Sequence, residues 1–280
     1  MISVIGIGDF CCLIADRLSK YPQYNILTIS TNDSENTNHI KLKNYETAEQ
    51  YEQNCPDIKK NIKSLKNDVS IFLDGSEPIA GIILALGEQI NNKNINVYYI
   101  RSDTVLMSQL EKKQDKICFS VLQEYARSGL FNKICLIDKL KIEAILGEVP
   151  LVRYDDEISN LISSTVHMCN VYENSKPILD NMTQTDLLNR ICTIGIGDLF
   201  GGQTKWFYDL ANAGELMNYY AINKTTLEGD PKLLQKIKKQ IKNEQNDLKR
   251  VMFGVYETNY AENFVYCVAR TKIVQQPTGT

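Results

Sequence analysis

Three short segments carry residue types that could do chemistry. In VIGIGDFCCLIADRL a β-branched run ends in a glycine turn and a helix begins. Gly6 and Gly8 let the backbone turn tightly, and Asp9, Phe10 and Cys11 open the helix. A helix start offers free N–H groups and the positive end of the helix dipole, an environment that suits phosphate. A complete dinucleotide fingerprint, G-x-G-x-x-G, needs glycine where Cys11 stands. The alternative is a tight βα turn with no ligand. The second segment, LDGSEPIAG, repeats the strand-to-helix passage. Gly75 and Ser76 can donate to a phosphate, whereas Asp74 and Glu77 repel one; a plain helix entry, marked by Pro78, is the competing reading. In the third, Asp138 ends the run KICLI. Its carboxylate can accept two hydrogen bonds from an N–H edge such as that of guanine, or it can cap the next helix, which is the commoner use. Tyr154 opens a long helical pattern beside Asp155 and Asp156, where it can stack on a base or pack into the core. His39 and His167 are isolated, without metal-ligand spacing, so no metal site is expected.

These residues need a scaffold, and the first half of the chain supplies one. Strand-like runs at 2–7, 25–30, 69–73, 96–100 and 133–137 alternate with helical patterns at 12–20, 57–66, 78–90 and 106–128. The strands are apolar throughout rather than alternating. That implies a parallel sheet covered on both faces, with ligands at the carboxyl ends of its strands. The run Arg153–Tyr172 reads as one long helix. Beyond it the rhythm changes: a helix near 185–190, a strand at 191–196, a strongly amphipathic helix at 231–249, then strands at 251–256 and 264–272 that read as an antiparallel pair around TNYAEN. The expectation is an α/β, Rossmann-like parallel-sheet domain at 1–152, a central helix at 153–176 and a smaller α+β domain at 177–280.

Composition narrows the function classes. With 280 residues, 43% apolar and 23% charged, the chain is an ordinary globular one. Its 31 basic residues are outnumbered by 34 acidic ones, so there is no clear nucleic-acid binding. No apolar run approaches the roughly 18–20 residues that span a bilayer, and MISVIGIGDF lacks the basic start of a signal peptide. None of the eight cysteines forms a C-x-x-C pair, which favours reduced, buried thiols. A cytoplasmic location is expected. The hexamer IGIGDF at 5–10 nearly recurs as IGIGDL at 194–199, but the flanks differ and a duplication is not supported.

The order of these pieces resembles the tubulin/FtsZ family over nearly the whole chain. GIGDFCCLIADRL is similar to that family's first glycine loop and helix, TISTND to the loop after its second strand, and NCPDIKKNIKSLKNDVSIFLDG to the approach to its glycine-rich motif. LEKKQDKICFSVLQEYARSGLFNKICLID resembles the helix and strand before the central helix. RVMFGVYETNYAENFVYCVARTKI resembles the closing strands. NMTQTD resembles the catalytic loop N-x-D-x-x-D: Asn181 and Asp186 match, and Thr183 stands where the first acid belongs. The family's GGGTGTG-like loop is reduced to DGSEPIAG, and Phe10 and Cys11 replace glycine of the bacterial members. In size the chain is nearest the divergent phage and plasmid members.

The resemblance implies a self-assembling cytoskeletal protein whose copies stack head to tail, with GTP or GDP, with or without Mg2+, between them. It places nucleotide against Gly6, Gly8, Asp9, Phe10, Cys11, Gly75 and Ser76, with Asp138 and Tyr154 near the base. Asp186, assisted by Asn181 and Thr183, would promote weak GTP hydrolysis on the next subunit. The alternative is a structural scaffold of the same fold that uses no cofactor and does not hydrolyse. An unrelated dinucleotide- or nucleotide-sugar-binding enzyme is a third, weaker reading.

Overall fold

The computed structural model describes residues 1–58, 65–199, 203–245 and 249–276. Most of the helix expected at 57–66 lies outside the described residues. The chain divides into two compact units, 1–164 with 274–280, and 165–273. The division falls inside the helix Tyr154–Glu173, a single twenty-residue element.

The first unit is built on a sheet of six strands: β1 (Ile2–Ile7), β2 (Tyr24–Ser30), β3 (His39–Lys41), β4 (Asp68–Asp74), β5 (Asn94–Arg101) and β6 (Lys133–Asp138). Their order is β3-β2-β1-β4-β5-β6, and every neighbouring pair is parallel. Val4, Ile5, Ile7, Ile71, Phe72, Leu73, Val97, Leu136 and Ile137 are buried, which explains why these strands read as continuous apolar runs. The short edge strand β3 and the helix Ala48–Gln53 left no such pattern. The helix is set by a capping box, in which Thr47 accepts from Gln50 N and Gln50 reaches back to the Thr47 N–H.

Helix α1 (Asp9–Leu18) buries Phe10, Cys11, Cys12, Ile14, Ala15 and Leu18. It lies so close to β1 that a Cβ on Gly6 would come within 2.6 Å of the Cys11 carbonyl oxygen. Gly8, at φ 85° and ψ 159°, holds a backbone conformation essentially confined to glycine. From the far side of α1, Arg17 Nε donates to Ser159 Oγ at 2.9 Å and its guanidinium pairs with Asp156, which fixes the first turns of the long helix.

In the second unit the strands run in the order β8-β12-β10-β11-β7, with β7 (Leu179–Asp180), β8 (Ile191–Gly197), β10 (Glu215–Asn223), β11 (Arg250–Thr258) and β12 (Phe264–Thr271); the short β9 (Lys205–Trp206) pairs with β8. The expected β11–β12 hairpin is corrected here. β10 lies between them, parallel to β11 and antiparallel to β12. The chain leaves β10 through helices Lys224–Gly229 and Leu233–Glu244 before entering β11. A parallel pair needs such a crossover, so the amphipathic helix dictates the pairing. The helix expected near 185–190 is a turn instead.

Side chains of β10 alternate as a two-faced strand requires. Tyr220 and Ile222 belong to the core that Leu233 and Ile237 close on one face, and Leu216 packs in a second cluster with Val251 and Ala269. Tyr219 faces the other way, into a cluster with Tyr172, Tyr256 and Tyr266. There Tyr256 donates its hydroxyl to the Tyr172 carbonyl at 2.9 Å, which ties the last turn of the long helix to β11.

Candidate functional site

In the first unit, the carboxyl ends of β1, β4, β5 and β6 deliver Gly8, the segment 74–77, Ser102 and Lys139 to one edge of the parallel sheet. Asp74 is the hub. It is 2% exposed and accepts from Ser76 N at 3.0 Å, Ser76 Oγ at 2.6 Å, Lys139 Nζ at 3.2 Å and the Ser102 hydroxyl. Lys139 Nζ also donates to Ser102 Oγ at 3.0 Å and sits 3.8 Å from the centre of the Phe10 ring, a cation–π contact. The Lys139 ammonium is therefore fully engaged with the chain's own groups.

The segment after β4 uses its N–H groups internally. Ser76 N bonds the Asp74 side chain, Glu77 N the Asp74 carbonyl at 3.3 Å, and Ala80 N the Glu77 carbonyl at 3.0 Å. Gly75 is packed so tightly that a Cβ there would overlap the Tyr99 ring. Tyr99 is itself held by a 2.6 Å hydrogen bond to Asp115, which pairs with Arg101 at 3.4 Å in the interior.

Glu77 is turned toward the start of α1, where a Cβ on Gly8 would overlap its carboxylate. Burial first, then the neighbouring Asp74, raises its pKa to about 7; Lys139 works against the shift and Asp9 adds to it. Burial likewise pushes the Cys11 thiol well above its ordinary range, so Cys11 is a packing residue rather than a nucleophile. Asp9 accepts from Asn32 Nδ2 at 2.5 Å.

A cavity of about 190 Å³ opens beside Gly8, Asp9 and Glu77, walled on its other sides by Thr31, Asn44, Tyr45 and Tyr51. Of the residues singled out from the sequence, Gly8 and Asp9 line it; Gly6, Phe10, Cys11, Gly75, Ser76, Asp138 and Tyr154 do not. Asp138 caps the helix Lys139–Leu146 by accepting from Leu140 N at 2.9 Å. Tyr154 donates to Glu143 Oε2 at 2.9 Å. Sequence reading recognised the charge of Asp74 and Glu77 but missed Ser102, Lys139, Tyr45 and Tyr51. Lys139 was within reach, because it directly follows a buried strand that ends at the same sheet edge.

The second unit holds the segment Asn181–Arg190. Asn181 is bound to β11 on both sides of its amide: Oδ1 accepts from Phe253 N at 2.7 Å and Nδ2 donates to the Val251 carbonyl at 3.2 Å. Thr183 Oγ1 lies 3.6 Å from Met252 Sδ. Asp186 is exposed; its side chain accepts from Leu188 N at 2.9 Å, and its own N–H is held at 3.1 Å by Glu215, a buried carboxylate that pairs with Arg250 at 3.6 Å.

Among the described residues no group of three or more His, Cys, Asp or Glu side chains could hold a metal ion, and no helix is long and apolar enough to cross a membrane. The eight cysteines are unbridged.

No protein-family model matches the sequence, and no curated protein matches it significantly. Solved structures do match. The chain superposes on a GTPγS-form protofilament of TubZ from Bacillus thuringiensis serovar israelensis with a TM-score of 0.73, at 15% identity, over 99% of this chain and 88% of that one. It matches an FtsZ dimer from M. jannaschii with a TM-score of 0.70, at 13% identity, over 96% and 88%. For a GTPγS-bound protofilament of CetZ2 from Haloferax volcanii the TM-score is 0.70, at 10% identity, over 96% and 92%. Parallel-sheet unit, long helix and smaller mixed-sheet unit together make this a tubulin/FtsZ-like fold.

Proposed function

We propose that the protein is a self-assembling, tubulin/FtsZ-like scaffold whose subunits associate without a guanine nucleotide. Self-assembly is supported by the structural neighbours, several of which are protofilaments, and by exposed aliphatic side chains in each unit. In the first unit Val105, Leu106, Leu151 and Val152 are each more than 80% exposed, in the turns after β5 and before the long helix. In the second, Leu187 and Leu188 are exposed beside Asp186. Grouped apolar surface of this kind marks association sites.

One observation carries the nucleotide-independent reading: the Glu77 carboxylate stands against Gly8 at the start of α1, where an incoming phosphate would seek the helix N-terminus. Asp74 and Asp9 add negative charge, the N–H groups of Ser76, Glu77 and Ala80 are bonded within the segment, and Lys139 is engaged with Asp74. These residues do not fit a nucleoside triphosphate. On this reading Asn181 is a brace for β11, and Asp186 belongs to an assembly surface rather than to a hydrolytic site.

The second reading keeps GTP binding with weak hydrolysis promoted by Asp186. It is favoured by the proton affinity of Glu77, since a carboxyl with a pKa of about 7 is readily neutralised and repels phosphate less. The two separate in one experiment. Purified protein is denatured and its supernatant chromatographed for guanine nucleotide, and assembly is followed by electron microscopy with and without GTP. Filaments in both conditions, with no nucleotide retained, are expected. Filaments only with GTP would establish the second reading.

A further inference from the structure

The cavity beside Gly8 has an unusual lining for the edge of a parallel sheet. Its charge comes from the Asp9 and Glu77 carboxylates, and among the described residues no basic side chain lines it. Among the described residues, the Glu77 carboxylate has no hydrogen-bond or ion-pair partner. Lys139, the nearby ammonium, is taken up by Asp74, Ser102 and the Phe10 ring.

Two aromatic residues, Tyr45 and Tyr51, also line the cavity. Tyr45 and Tyr51 meet edge to face, with ring centres 5.2 Å apart and planes at 86°. Their positions are fixed. Tyr51 donates its hydroxyl to Asn44 Oδ1 at 3.2 Å and accepts from Tyr45 N at 3.2 Å, and the Thr47 capping box anchors the helix that carries Tyr51. Aromatic faces are electron-rich and attract cations, most strongly when water is excluded. Lys43 Nζ already lies 6.0 Å from the centre of the Tyr45 ring. The volume, about 190 Å³, equals roughly six waters at about 30 Å³ each. That is room for an ammonium or guanidinium head and a short stem.

We propose that this cavity binds an organic cation, an alkylammonium or guanidinium group, between the carboxylates of Asp9 and Glu77 and the rings of Tyr45 and Tyr51. The inference rests on the reading that this edge is closed to phosphate by its own carboxylates. The cation can arrive as a free polyamine or as a Lys or Arg side chain of a second copy; the chemistry is the same. Either would neutralise the carboxylate crowding left by Asp9, Asp74 and Glu77.

The test is calorimetric titration of the full chain at pH 8 and low salt with putrescine, spermidine and arginine methyl ester, and separately with GTP. Saturable binding of at least one cation is expected. It should weaken at least tenfold in Glu77→Gln, which keeps size and loses charge, and several-fold in Tyr45→Leu, which keeps both carboxylates; circular dichroism confirms that each variant is folded. Absence of saturable binding, or equal binding by wild type and Glu77→Gln, overturns the proposal. GTP binding by the wild type overturns instead the reading that the edge is closed. Sedimentation names the source: putrescine dissociates assemblies if a second copy supplies the cation, and leaves them intact if it is free.

Discussion

Glu77 and Gly8 are coupled: the carboxylate lies where a side chain on Gly8 would have to go. Gly8 also holds a positive φ of 85°. Gly8→Ala therefore carries two costs, backbone strain of about 1–3 kcal/mol and the overlap itself. Removing the carboxylate with Glu77→Ala relieves only the second. Chemical denaturation of the four proteins of this double-mutant cycle should show Gly8→Ala strongly destabilising and the double variant partly recovered, with a coupling of about 1 kcal/mol or more. Additive effects would mean that Glu77 does not press on Gly8.

The ionisation of Glu77 sets a pH dependence with a definite sign. Its pKa rises from an ordinary 4.5 to about 7 on folding, so the folded state holds the proton more tightly than the unfolded one. Between those values the folded chain binds more protons, and stability falls as pH rises from about 4.5 through 7. Burial sets most of the shift; Asp74 and Asp9 add to it by opposing ionisation, and Lys139 works against it, while burial keeps the nearby Cys11 thiol protonated. Glu77→Gln should flatten this slope and stabilise the protein above pH 7 by on the order of 2–3 kcal/mol. Urea melts at pH 5 and pH 8 check it; equal gains at both values would contradict it.

Lys139 and Asp74 test how the sheet edge is held. The pair is nearly withdrawn from solvent, so removing one partner strands a buried charge. Lys139→Met should cost about 3–5 kcal/mol. Replacing both, as Lys139→Met with Asp74→Asn, should cost less than Lys139→Met alone, because no carboxylate is then left unpaired. Thermal melts of the single and double variants decide the order.

What the sequence disclosed follows from the range of each interaction. β1, β4 and β6 were legible because burial on both faces makes each a continuous apolar run, and α1 because Leu18 and Ile14 repeat at helical spacing. The acids Asp74 and Glu77 stood out against a glycine-rich pattern. Their partner was hidden: Lys139 is 65 residues from Asp74, and only the parallel order β4-β5-β6 brings the two strand ends together. β10 was missed for a related reason. Nearness in sequence suggested pairing β11 with β12, whereas the crossover helix Leu233–Glu244 places β10 between them. Asn181 matched a motif by letter, but its two hydrogen bonds to β11 give it a bracing role that the letter does not reveal.

That brace can be separated from chemistry. Asn181→Ala loses two hydrogen bonds to β11 and should destabilise the protein by about 1–3 kcal/mol, since Phe253 N loses its acceptor. Asp186→Asn touches no such bond across strands and should be nearly neutral for stability. Phosphate release, measured on assembled protein, should stay at background for wild type, Asp186→Asn and Thr183→Asp alike. Turnover in the wild type that disappears in Asp186→Asn would restore the hydrolytic reading.

The assembly surfaces yield a test that also reads their symmetry. Leu106 and Val152 represent the exposed aliphatic side chains of the first unit, Leu187 and Leu188 those of the second. If copies join through unlike surfaces, each subunit carries one patch of each kind, and the chain of contacts is open-ended. A Leu106→Glu, Val152→Glu variant and a Leu187→Glu, Leu188→Glu variant should then each fail to form filaments alone. All four side chains are exposed, so folding should survive. Mixed together, the two variants still share one intact junction, made by the wild-type patch of each. Sedimentation should show heterodimers in the mixture and monomers in each variant separately. If like surfaces meet instead, the junction is isologous: each variant keeps its untouched patch, pairs with itself, and gains nothing from mixing. Heterodimers that appear only in the mixture therefore establish head-to-tail stacking, and the same experiment repeated without any nucleotide shows whether that stacking depends on one.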